Sequence, residues 1–558
     1  MIIRPMRKEI ERVMLAAEIT RAPGILSRNM HGRMQDYPLT IHHILWRVEK
    51  LFGRKTVATK RANGVHRYTY ADLVPRVKQL AAALARLGVK EGDRVATLAW
   101  NNYRHLELYY AIPCMGAVLH TLNLRLSPEQ LAFIANDAED SVIVVDDTLL
   151  PLLKKFIGQV PSVRHVIVMS DTGATEYLDY ETLLAAEEPS YVWPVLDERA
   201  AMAMCYTSGT TGHPKGVVYS HRSSFLHTMA ALQSTTMGVD EPDTILPMVP
   251  MFHANAWGLP YAAGMAGANF VFPDRWMGDP ETILALAESE QATCLAGVPT
   301  IWVGVLHKLA ERSLPHVRQI ICGGSAVPRS LLEAYEARGL LLLQAWGMTE
   351  TSPLGSISRA RSWHGEQAMD ARATQGPPSP CIEWRIADLA TGAELPWDGV
   401  AFGEIEVRGP WVTSGYHNET ESNRLTADGW FRTGDVASIT PDGYINIVDR
   451  AKDVIKSGGE WVSSVELENA IMAHPKVLEA AVIGVPHPKW QERPVGYVVP
   501  RAEHRDTISA DEILEHLAAH FVRWWLPDEI RFIDEVPKTS VGKFDKKVLR
   551  QNAEPLTE

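Results

Sequence analysis

The chain has 558 residues, 46% apolar and 22% charged, a globular balance long enough for several packed units that excludes an intrinsically disordered chain. Its formal charge of -12 is spread along the sequence without a long run of one sign, which argues against a nucleic-acid partner held on a basic surface. The five cysteines, Cys114, Cys205, Cys294, Cys322 and Cys381, are odd in number and far apart, with no CxxC pair and no metal-ligand spacing, and fit a reducing cytoplasm.

At the amino terminus Arg4, Arg7, Lys8, Glu9, Glu11 and Arg12 break up the apolar residues, so no signal-peptide core is expected. Residues 1–30 read as an added amphipathic segment with Ile10, Val13, Met14 and Ala17 on one helical face. Short β-rich runs at 94–98, 142–145, 166–169, 270–272, 293–296 and 319–322 alternate with helical patterns such as 70–87 and 281–290. This predicts an α/β body of sheets wrapped by helices. The most apolar stretch, 246–272, is interrupted by Pro250, His253, Asn255, Gly258, Pro260, Gly264, Gly267 and Asn269, so a folded interior is expected in place of a membrane span.

After about Gly376 the strands shorten, as at 403–407 and 444–448, with Asp428-Gly429 and Asp442-Gly443 as turn signals, which predicts a small antiparallel subdomain. Beyond Arg450 a helix from Ser464, strands at 480–485 and 495–499, and a helix opened by a Ser509/Glu512 capping box predict a separate α+β domain. The expected division is an extension over 1–30, a large domain over 31–449, a hinge at 450–452 and a mobile smaller domain over 453–558.

The sharpest local signal is Tyr206-Thr207-Ser208-Gly209-Thr210-Thr211-Gly212-His213-Pro214-Lys215-Gly216, where hydroxyls, glycines and one lysine crowd together. Such a segment wraps phosphate oxygens with backbone N–H groups, hydroxyls and a cation. It is not a Walker A loop, because Gly216 follows Lys215 where that loop needs Ser or Thr for magnesium.

At this loop the sequence resembles the adenylate-forming superfamily, and the resemblance runs from about Thr40 to Arg550. Further motifs stand in the family's order: Trp346-Gly347-Met348-Thr349-Glu350, Arg432-Thr433-Gly434-Asp435, Asp449-Arg450-Ala451-Lys452-Asp453, and Pro537-Lys538-Thr539-Ser540-Val541-Gly542-Lys543. Joining a carboxylate to ATP brings an anion against a polyanion, so fixed cations must screen the repulsion and stabilise in-line displacement at the α-phosphate. The resemblance implies that Thr207, Ser208, Gly209, Thr210, Thr211, Gly212 and Lys215 hold the β- and γ-phosphates. It places magnesium on Glu350 with Thr207, and Thr349 near the α-phosphate. Trp346 and Gly347, with Gly324 and Ser325, are assigned to the adenine, where many relatives carry Tyr in place of Trp346. Asp435 is assigned to the ribose hydroxyls, Arg450 to the ribose from the hinge side, and Lys543 to catalysis of adenylation.

Thioester formation needs a thiol to reach the same acyl carbon, so the resemblance also implies rotation of the C-terminal domain about Lys452. The run Gly458-Gly459-Glu460-Trp461 is assigned to coenzyme A. This run and Pro250-Met251-Phe252-His253-Ala254-Asn255-Ala256-Trp257 are similar to bacterial medium- and long-chain fatty-acyl-CoA synthetases. That likeness puts His253 beside the substrate carboxylate, makes Trp257 a gate, and gives Gly297, Val298, Pro299 and Gly323 to the acyl wall. Within 253–257 no aspartate stands ready for a substrate ammonium, so an uncharged acid tail is expected. The implied partners are a fatty acid, ATP, Mg2+, coenzyme A and a second copy of the chain. A ligase for an aryl or thioether acid, and a non-catalytic nucleotide-binding homologue, stand as alternatives.

Overall fold

The computed structural model describes residues 32–553, apart from 174–175, 208–213, 310–311, 420–423, 452, 458–459 and 539–543. The roles expected of Ser208, Gly209, Thr210, Thr211, Gly212, Lys452, Gly458, Gly459 and Lys543 therefore fall outside the described residues, as does the segment 1–30. Glu460 and Trp461 enter only as part of the strand Glu460–Val462.

Two large sheets carry the body. The first has eight strands, six of them parallel neighbours, with antiparallel Gly64–Thr69 and Leu354–Ile357 at its two edges. The second has seven, parallel except where the edge strand Gly216–Ser220 folds back on Ala201–Tyr206. Their central strands are near-continuous apolar runs because both faces are covered: all five residues of Val142–Asp146 are buried. The helix Tyr70–Arg86 shows the complementary logic. Tyr70, Leu73, Val74, Val77, Leu80, Ala81 and Leu84 lie one or two turns apart and are all buried, while Thr69 and Asp72 close a reciprocal capping box at its start. Each fully buried aliphatic side chain on that stripe stabilises the fold by about 1.5–3 kcal/mol relative to exposure. The expected α/β body is thus observed, and its crossovers bring several strand carboxyl ends to one edge.

A four-stranded antiparallel sheet of Glu383–Ala387, Phe402–Arg408, Phe431–Ile439 and Ile445–Arg450 follows. Gly429 and Gly443, at φ +85° and +82°, make the expected turns. The chain then builds a five-stranded sheet flanked by the helices Ser464–Ala473 and Ala510–Ala518, with its own buried cores. One detail differs from expectation. Ser509 accepts from Glu512 N, but no reciprocal bond closes a capping box. The Glu512 carboxylate instead reaches Lys476 at 2.8 Å, since a cation outbids a backbone N–H for a partly exposed carboxylate.

Among the described residues no helix is long and apolar enough to cross a membrane.

Candidate active site

The glycine-rich segment joins the antiparallel strands Ala201–Tyr206 and Gly216–Ser220. Tyr206 and Gly216 face each other in the ladder, and Thr207 N donates to Lys215 O at 2.9 Å. Its root is tied to the body by Tyr206, whose hydroxyl donates to Asp137 Oδ2 at 2.6 Å. Asn418 Nδ2 reaches the other oxygen of the same carboxylate at 3.1 Å. Lys215 pairs with Glu419 at 2.6 Å and lies 4.8 Å from the Tyr416 ring centroid. That pair is partly exposed and worth no more than about 1 kcal/mol, so Lys215 is free to exchange it for a stronger phosphate anion.

The chain turns through Trp346 and Gly347 at a bulge in the ladder with Leu354–Ile357. Only glycine fits at 347, because a Cβ there would stand 1.7 Å from Pro353 O. The turn buries Thr349 and Glu350, whose positions are fixed by two phenols. Tyr219 donates to Thr349 O at 2.8 Å, and Tyr416 donates to Glu350 Oε1 at 2.7 Å. Burial, with the Glu350 carboxylate beside it, pushes the Tyr416 phenol well above its usual range, so it remains a donor. Among the described residues no three His, Cys, Asp or Glu side chains are grouped to hold a metal. Glu350 still suits magnesium, which takes one or two carboxylates and completes its shell with phosphate and water oxygens.

Asp435 is brought to the same edge by ladder register, directly opposite Arg450. Its Oδ2 accepts from Trp346 Nε1 at 2.9 Å and its Oδ1 pairs with Arg450 Nε at 2.8 Å. Three residues assigned separately to adenine and ribose are therefore one hydrogen-bonded unit, and each carboxylate oxygen keeps a lone pair for a ribose hydroxyl. Gly297 and Gly323 end parallel strands at this edge, followed by Val298, Pro299, Gly324 and Ser325. Backbone closeness is enforced there: a Cβ on Gly323 would meet Ala345 O at 2.8 Å, and Gly324 has φ +92°. Carboxyl ends of parallel strands are where α/β sheets bind ligands.

The acyl-side residues form an unusual element. After His253, the residues Ala254, Asn255, Ala256, Trp257 and Gly258 all have left-handed φ, from 42° to 73°. Four of them carry side chains, and each costs roughly 1–2 kcal/mol in that region. The buried turn persists because its surroundings clamp it. Cys205, at the end of the hairpin strand, donates to Asn255 Oδ1 at 2.8 Å. His227 lies where a Gly258 side chain would be, its ring 2.7 Å from the ideal Cβ position. Burial lowers the His227 pKa to about 3, so the neutral ring accepts from Leu354 N at 3.3 Å. Gly258→Ala, which adds both strained φ and a clash with His227, is expected to raise the acid KM about tenfold or more and lower the unfolding midpoint. The ATP KM in pyrophosphate exchange should move far less.

Tyr219 and Ser352 separate this turn from a cavity of about 450 Å3 between the strand Gly216–Ser220 and the segment 410–417. Sequence reasoning missed Tyr219, Tyr416, Cys205, Asn255 and His227 as supports. They stand singly in the chain, and only the fold brings them to the motifs.

A buried carboxylate that faces both an indole and a guanidinium is an arrangement suited to a nucleotide, the chemistry of the adenylating class. Residues 46–417 match the AMP-binding enzyme family and residues 466–543 match the AMP-binding enzyme C-terminal domain. The chain belongs to this family, the group its motifs resemble. It is 48% identical to the long-chain-fatty-acid–CoA ligase of Thermus thermophilus over 93% of this chain and 96% of that protein. Identity to the 3-methylmercaptopropionyl-CoA ligase of Ruegeria lacuscaerulensis is 42%, over 93% and 98% of the two chains. Among solved structures, ATP-bound MatB from Rhodopseudomonas palustris superposes with a TM-score of 0.81 at 28% identity, covering 92% of this chain and 99% of that one.

Proposed function

We propose that the protein is an AMP-forming ligase that joins a medium- to long-chain fatty acid to coenzyme A, working in the cytoplasm as a homodimer. In the first step a carboxylate oxygen attacks the α-phosphorus of ATP and the bond to the β-phosphate breaks, releasing pyrophosphate. In the second the coenzyme A thiol, losing its proton, attacks the acyl carbon and expels AMP. Thr207, Ser208, Gly209, Thr210, Thr211, Gly212 and Lys215 hold the phosphates. Trp346, Gly347, Gly324 and Ser325 hold the adenine, and Asp435 and Arg450 the ribose. Glu350 and Thr207 would hold magnesium, which would supply charge neutralisation at the phosphates. Thr349 stands by the α-phosphate, His253 by the acid, and Lys543 bridges the two reactants. Rotation about Lys452 then brings Gly458, Gly459, Glu460 and Trp461 to the coenzyme A arm.

The observation that carries this reading is the Trp346–Asp435–Arg450 unit set beside the Glu350 turn, with a buried, uncharged turn ending at Trp257. Support for a fatty tail comes from that turn, from the small residues Gly297, Val298, Pro299 and Gly323, and from the 48% identical fatty-acid ligase. The 42% identical relative supports a second reading, a short thioether acid. Coenzyme A-dependent AMP release over a series of saturated fatty acids, an aryl acid and 3-methylthiopropionate separates them. The highest kcat/KM is expected on a medium or long saturated chain. A maximum on the thioether or aryl acid refutes the fatty-acid assignment, and pyrophosphate exchange at background with every acid refutes catalysis.

A further inference from the structure

Asp449 closes the strand Ile445–Arg450 of the four-stranded sheet beside Arg450, yet its carboxylate is buried against the C-terminal lobe. Oδ2 accepts from Ser464 N at 2.9 Å and from the Ser464 hydroxyl, at the first turn of the helix Ser464–Ala473. Ser463 donates to Val448 O from the same helix start. The Ser464 hydroxyl also accepts from Lys546, whose ammonium lies 2.7 Å from Glu468 Oε1. A carboxylate at a helix N-terminus, with a buried ammonium behind it, is a strong electrostatic seat.

The arrangement is separable into two self-sufficient halves. Lys546 and Glu468 both belong to the lobe and neutralise each other, and Val482 N also donates to Glu468, at 2.7 Å. If Asp449 withdrew, the lobe would keep a paired ammonium, Asp449 would become a solvated carboxylate, and neither side would bury an orphan charge. Asp449 and Ser464 also lie on opposite sides of position 452, so any rotation there pulls them apart.

We propose that Asp449, Ser464 and Lys546 form an orientation latch, with Asp449 and Lys546 as positioning residues for adenylation; this rests on the two-step function proposed above. Lys546 follows Lys543 by three residues in sequence and opens the helix Lys546–Gln551, and Asp449 precedes the ribose-site Arg450, so the closed latch ties the start of that helix to the strand end that carries Arg450. The latch must open before the lobe can turn for thioester formation.

The test compares the two half-reactions in the full-length protein: ATP–pyrophosphate exchange with a fatty acid, and thioester formation from supplied acyl-AMP and coenzyme A. Asp449→Ala is expected to lower exchange about tenfold while thioester formation falls less than about twofold. Ser464→Ala, which keeps every charge, should move the ratio the same way by a smaller factor, and it decides the matter if Asp449→Ala folds poorly. Lys546→Arg should restore the wild-type ratio that Lys546→Met loses. Equal loss in both half-reactions, no change, or a larger loss of thioester formation overturns the latch. Wild-type protein inactive with every acid instead overturns the function on which the latch rests.

Discussion

Lys543→Ala is expected to lower acyl-AMP formation, followed as fatty-acid-dependent pyrophosphate exchange, by about 10²–10³-fold, with thioester formation from supplied acyl-AMP reduced less than about tenfold. Carboxylate and α-phosphate carry like charge, and each equatorial phosphate oxygen gains negative character as the nucleophile closes. A cation between them is worth most in the transition state, where the charges are nearest. Such an interaction lowers kcat more than it changes the KM of either substrate. The second half-reaction starts from a neutral acyl carbon and a leaving AMP, so it makes no comparable demand on that amine. Undiminished exchange in the variant would remove Lys543 from the mechanism.

Asp435→Ala is expected to raise the ATP KM about 30-fold or more, with the acid KM changed little. The variant loses the ribose acceptor and also strands Trp346 Nε1, an almost fully buried donor, and Arg450, which now pairs with Asp435 at 2.8 Å. An unsatisfied buried donor costs about 1–3 kcal/mol, and removing a hydrogen-bonded ion pair's partner adds to it. Asp435→Asn separates the two contributions. Its amide oxygen can still accept from the indole while the attraction to Arg450 is gone, so its ATP KM should fall between those of wild type and Asp435→Ala. Equal ATP KM in all three proteins would sink the ribose assignment.

Much of this site was legible before any coordinates. Strand placement followed from apolar runs short enough to be covered on both faces, and the glycines at 347 and 323 stood where backbone crowding excludes a side chain, with Gly324 at a left-handed φ. Trp346, Asp435 and Arg450 were each assigned to nucleotide from their motifs, and the sheet register joins them into one unit. What escaped was whatever depends on distance across the fold. Tyr416 reaches Glu350 over 66 positions, and Cys205 reaches Asn255 over 50. Neither pair has a local pattern to announce it. The left-handed turn was equally hidden, because Ala254-Asn255-Ala256-Trp257 has ordinary helix-compatible composition and only the clamp of Cys205 and His227 selects the other hand.

The segment that carries Tyr416 and Glu419 engages both Glu350, assigned to magnesium, through a phenol and Lys215, assigned to the phosphates, through a carboxylate. Before ATP arrives, then, neither charge waits bare for its counterpart. Nucleotide entry becomes a swap of internal partners for external ones, and pyrophosphate departure becomes the reverse swap. A lysine held this way gives up some grip on phosphate, since a departing pyrophosphate is replaced at once by a tethered carboxylate.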